Sequence, residues 1–172
     1  MTFNIIKHLI VALAISFMST GCKAQNKLDK AWWMTIELRP SQLKLNNLPV
    51  TDFNDNWIAA SYLKNDRIKP HINKPDYEKF ISSPFKFEMQ ADLNKNGKNE
   101  VYRTGIYKYK DNSEGVFVSI FENEKLIKIF SDSSHKGFSA LLLHNNQLRW
   151  YRCMECGEYE NLIWSGTGFY IE

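Results

Sequence analysis

From Pro84 onward apolar and polar side chains alternate. Phe85, Phe87, Met89 and Ala91 take turns with Lys86, Glu88 and Gln90, a period of two that a strand lays on opposite faces. Further segments follow at short spacing: 101–109, 115–122, 125–131, 137–144, 147–153, 159–164 and 168–171. Turn residues punctuate them at Asp111-Asn112, Asn123-Glu124, Asn145-Asn146 and Ser165-Gly166. Links this short join only antiparallel neighbours. The pattern predicts a meander of about eight strands over 84–172. The run Leu141-Leu142-Leu143 predicts that its strand is covered on both faces.

Residues 31–83 carry a different rhythm. Ala31 to Leu38 suits a first strand. Thr51 to Leu63 suits a helix, capped by Thr51 or Asp52, with Phe53, Trp57, Ala60 and Leu63 spaced three and four apart as one stripe. Asp76 to Ile81 suits one or two helical turns. The expected fold class is α+β: an N-terminal helical region (31–83) packed on an antiparallel β-meander (84–172), as a single globular domain over 31–172. Aromatics at 14% give it a core that a disordered chain lacks. Lys and Arg number 22 against 19 Asp and Glu, with no long basic block, which disfavours nucleic acid as a partner.

Residues 1–21 read as a signal peptide: one Lys at position 7, then an uncharged run, Leu9 to Met18, too short to span a bilayer. Ser19-Thr20-Gly21-Cys22 resembles the lipobox of bacterial lipoproteins, with Ser19 where that family usually carries an aliphatic residue. The resemblance implies lipidation of Cys22, a membrane anchor made of lipid, and, with Lys23 rather than Asp next, the outer membrane. Residues 22–30 are then a tether. The alternative is ordinary signal-peptidase cleavage after Cys22-Lys23-Ala24.

The segment from Asp92 to Glu100 is the most legible candidate site. Asp92, Asn94, Asn96 and Glu100 put side-chain oxygens at positions 1, 3, 5 and 9, Lys98 offers a backbone carbonyl, and Gly97 allows a sharp turn at position 6. Position 12 is Arg103, unlike an EF-hand, and strands rather than helices flank the loop. It resembles the calcium loops of FG-GAP and VCBS repeats, matching at Asp92, Asn94, Asn96, Gly97 and Glu100 in a single copy. The resemblance implies calcium as a structural cofactor. With two carboxylates the affinity is expected to be weak; the alternative is a metal-free Asn/Gly turn.

Cys153 and Cys156 remain once Cys22 is set aside. Export favours a disulfide between them; a zinc knuckle completed by His135 and His144, or a redox pair, are the alternatives. Asp132, Ser133, Ser134 and His135 sit too close in sequence for a catalytic triad, which is assembled from distant segments. Either Trp32 or Trp33 could be a binding aromatic. Ser165 to Tyr170 is similar to the Ser-Gly-x-x-Tyr loop of periplasmic lysozyme inhibitors, with its tyrosine one residue late; a terminal hairpin is the simpler alternative. The sequence therefore predicts a non-enzymatic envelope lipoprotein, a binding or structural module with an envelope protein or glycan as partner. The alternatives are an inhibitor or immunity protein bound to a hydrolase, and an enzyme of another type.

Overall fold

All eight strands expected from the alternation form, but they divide between two sheets. The computed structural model describes residues 31–154 and 157–172. The signal segment 1–21, the tether 22–30 with its lipidation site Cys22, and Cys156 lie outside these residues.

Strands β4 (Glu88–Ala91), β5 (Glu100–Tyr109), β6 (Glu114–Glu122) and β7 (Lys125–Asp132) belong to a five-stranded sheet. Strands β8 (Ala140–His144), β9 (Gln147–Tyr151), β10 (Tyr159–Trp164) and β11 (Phe169–Ile171) make a four-stranded one. The fifth strand of the larger sheet is β3 (Trp57–Tyr62), inside the segment expected to be helical. A hairpin of β1 (Lys44–Leu45) and β2 (Leu48–Pro49) forms a third, minimal sheet. The α+β expectation, a helical region packed on one meander, is thus overturned. The protein is mostly β, with short helices α1 (Trp32–Thr35), α2 (Asn65–Ile68) and α3 (Lys74–Ser82) among the described residues.

The helix expected over 51–63 fails for a local reason. Only Val50–Asp52 form a 3-10 turn. Asn54 then takes the chain out of it: its side-chain oxygen accepts from the N–H of Asn56 at 2.9 Å, and its carbonyl accepts from Trp57. The three-residue spacing of Trp57 and Ala60 is real but belongs to a bulged strand. The register against β5 slips between Trp57 and Ala59, so Trp57 opposes Tyr109 and Ala60 opposes Tyr107 on one face. Trp57 stacks on Tyr107 with centroids 4.4 Å apart. The strand expected at 31–38 is also absent. Its first half winds into α1, where Ile36 N–H and the Thr35 hydroxyl bond to the Trp32 carbonyl. Trp32 is buried against Phe80 and Phe138. The helix expected at 76–81 is α3. Asn73 caps it by accepting from Asp76 N–H at 2.9 Å, and Phe80 is the side chain it buries.

Position β5 organises the whole sheet. One edge pairs with β6 along its length. The other is shared: β4 takes Glu100–Arg103, β3 takes Gly105–Tyr109. The two meet at Thr104, whose carbonyl accepts from Leu63 N–H and whose N–H donates to Phe87. The chain leading into β4 then crosses to the other sheet, where Lys86 and Leu141 exchange a pair of hydrogen bonds of 2.9 and 2.7 Å. The main core lies between the sheets, with Tyr102, Ile106, Val118 and Ile120 facing Leu148, Trp150, Leu162 and Phe169. A second core lies behind the larger sheet, where Leu45, Val50 and Phe53 cover Trp57, Tyr107, Phe117 and Phe121.

Burial on both faces therefore falls to β6, not to the Leu141–Leu143 run. Residues Gly115 to Phe121 are all buried. In β8 only Leu141 of the three leucines is fully covered, and Leu143 is 42% exposed. Its strand is covered on both faces only at its start, where Ala140 and Leu141 are both buried, and loses cover toward the turn at Asn145-Asn146.

Candidate functional site

The loop at Asp92 is the turn of the β4–β5 hairpin, closed by the Ala91–Glu100 pair. Its oxygens converge on its own backbone. Asp92 accepts from Asn96 N–H at 3.0 Å through one oxygen and from Gly97 N–H at 2.9 Å through the other. Asn94 accepts from Asn96 N–H at 2.9 Å, and Asn96 from Lys98 N–H at 2.8 Å. Gly97 takes φ +84°, the left-handed turn its position was expected to need. Lys95 is also left-handed, at φ 58°.

Glu100 is different in kind. It is fully buried, although a carboxylate is normally found at the surface. Its Oε2 accepts from Leu93 N–H at 3.0 Å and from the Tyr102 hydroxyl at 2.9 Å. Its Oε1 is buried with no hydrogen-bond partner among the described residues. Burial first, and then the adjoining Glu100 carboxylate, push the Tyr102 phenol far above its ordinary range, so Tyr102 stays a donor.

One residue of this site was not anticipated. Glu122, at the end of β6, receives the side-chain N–H groups of Asn94, at 3.3 Å, and of Asn96. These donors hold its carboxyl below the usual carboxylate range. A cavity of about 320 Å³ is lined by Asn94, Asn96, Glu100 and Glu122, with Ile127, Trp164 and Phe169 as its apolar wall. Only the strand pairing brings Glu122 there: Val101, next to Glu100, opposes Phe121. Among the described residues no group of three His, Cys, Asp or Glu side chains is gathered closely enough to hold a metal by itself. An ion here would use a mixed set: the carboxylates of Asp92 and Glu100, amide oxygens of Asn94 and Asn96 after rotation away from Glu122, and the Lys98 carbonyl. Such an all-oxygen set suits calcium.

The other candidates resolve geometrically. Ser134 and Asp132 both address the same ring nitrogen of His135, Nδ1, at 3.0 and 2.9 Å. A relay needs the acid on one nitrogen and the nucleophile on the other. The trio is instead a capped turn leaving β7. Asp132 accepts from the N–H and hydroxyl of Ser134 and pairs with Arg152, which also binds Glu160 at 2.7 Å. Trp33 packs edge-on against Trp32, 5.8 Å away, so both tryptophans serve the core. His144 is exposed at the β8–β9 turn. Cys153 is half-buried and is not a free thiol; its expected partner Cys156 lies outside the described residues. The hairpin expected at Ser165-Gly166 joins β10 to β11, with the Ser165 hydroxyl donating to Gly168 at 2.9 Å.

Comparison with protein-family models, with curated proteins and with solved structures returned no match.

Proposed function

We propose that this chain is an exported envelope lipoprotein, anchored through Cys22, that binds rather than catalyses and uses calcium to fix the β4–β5 loop. The observation that carries the calcium assignment is the buried Oε1 of Glu100, which has no hydrogen-bond partner among the described residues, in a residue that lines a cavity together with Asn94, Asn96 and Glu122. An uncompensated buried carboxylate oxygen costs free energy, and a cation removes that cost. The anchor is supported by the Gly21-Cys22 sequence after an uncharged run. The Cys153–Cys156 disulfide is part of the same proposal, since it suits an oxidising compartment.

Few charged ligands imply a dissociation constant of roughly 0.1 to 1 mM. Calcium at ten times that value adds about 1.4 kcal/mol to stability, a rise of a few degrees in melting temperature. The test is a thermal melt in 5 mM calcium against chelator. Asp92→Ala removes the increment. Glu100→Gln also removes it, because a neutral amide is a far weaker calcium ligand than a carboxylate. Identical melts of the wild type with calcium and with chelator overturn the assignment. For the anchor, Cys22→Ser moves the protein from the membrane fraction to the soluble one when the full chain is expressed in a bacterium.

A further inference from the structure

Five cations line one stretch of surface, where β3 leaves the edge of β5 and β4 takes over. Two cavities open there, of about 400 and 370 Å³. Both are lined by Asn46, Tyr62 and Lys64, so they are the two ends of one groove. Lys86 and Arg103 line one end, Lys44 and Arg67 the other, with Lys64 between them. Against these five cations stand Glu88 and Asp66. Glu88 is used by Arg103, at 2.7 Å. Lys44 and Lys64 are exposed and form no ion pair among the described residues.

We propose that this groove binds an acidic polysaccharide, a glycan whose carboxylates are spaced along the chain. Charge sets the sign of the ligand, since low-dielectric walls lined by one sign of charge focus the field. Length and continuity favour a polymer, because cations stand along both cavities. The remaining lining sets the class. Asn46, Asn65 and Gln42 offer amides that both donate to and accept from hydroxyl groups, and Tyr62 lies where the two ends join. An acidic peptide fits less well. A peptide that docks as an added strand needs a free sheet edge, and here β3 and β4 already occupy that edge of β5. Arg103 is held over the rings of Tyr62 and Phe121, 5.7 and 5.8 Å from their centroids, so its charge is positioned before any ligand arrives.

The proposal names the ligand class for the binding role assigned above and rests on that role, but not on the calcium loop. The probe is a fluorescein-labelled oligogalacturonate, read by anisotropy against the purified protein in chelator, so that calcium does not cross-link the glycan. Saturable binding that weakens between 50 and 500 mM salt is expected. Lys44→Glu with Lys64→Glu should reduce affinity by at least about tenfold, several exposed ion pairs being lost and reversed together, with no change in melting temperature. Lys125→Glu with Lys128→Glu, on the outer edge of β7, should leave it within about twofold. Asp92→Ala, measured in parallel, keeps full glycan binding even where it abolishes the calcium response, so failure at the loop is distinct from failure at the groove. Equal binding of poly-glutamate, equal affinity of the Lys44/Lys64 variant, or the absence of saturation would each overturn the proposal.

Discussion

Asp132 is a carboxylate surrounded by donors. Burial alone would raise its pKa, but hydrogen bonds from the hydroxyl and N–H of Ser134, then His135 and the Arg152 guanidinium, hold it at about 2, below the ordinary 3.8. A depressed pKa means that the folded state favours the ionised form. The stabilisation is complete above the unfolded value near 4 and is lost as pH falls through 2. Because Arg152 also holds Glu160, Asp132 on the larger sheet is tied to β10 of the smaller one. Asp132→Asn should therefore lower the melting temperature at pH 6 and flatten its decline between pH 4 and pH 2. Parallel curves for wild type and variant over that interval would show that Asp132 contributes nothing through its charge. The same residue shows what spacing along the chain conceals. Asp132, Ser134 and His135 were legible as neighbours, whereas Arg152 reaches Asp132 only because β9 ends beside β7.

At the scale of elements, the strands after Pro84 were legible because each has a packed face and an Asn- or Gly-containing turn beside it. Paired left-handed residues at Asn123-Glu124 and Asn145-Asn146 are the physical form of those signals. Strand β3 was illegible because its bulge gives Trp57 and Ala60 a helical spacing. The division into two sheets was illegible because β7 and β8 do not pair, although the link between them, 133–139, carries the same kind of turn residues as the true hairpins. The loop at 92–100 was read from its oxygens, but Glu122 and the basic groove were not, since their residues meet only through pairing of distant strands. Gly105 marks how closely these elements approach. A Cβ there would lie 2.3 Å from the Phe117 ring and 2.7 Å from the Ser61 carbonyl. Backbone cannot yield as a flexible side chain does, so Gly105→Ala should cost about 3 kcal/mol and lower the melting temperature by roughly 8 °C. A loss under about 2 °C would mean that β3 slides on β5 without penalty.

Across the whole molecule, the larger sheet is a shared wall. One face looks into the core closed by the smaller sheet and the helices, the other into the core closed by the N-terminal hairpin and the Val50–Asp52 turn. The loop with Glu100 and Glu122 sits at one end of β5, and the basic groove opens beside its middle, at the junction of β3 and β4. The same strand thus carries Glu100 to the first and Arg103 to the second, three residues apart. Nothing in sequence length or aromatic content anticipated that one strand of the larger sheet, β6, would have no outside. This has a consequence for how the chain can be cut. Removing the N-terminal arm would wet Phe117 and Phe121, and removing the last four strands would wet Val116, Val118 and Ile120, so β6 leaves no seam along which a smaller fragment could be excised dry.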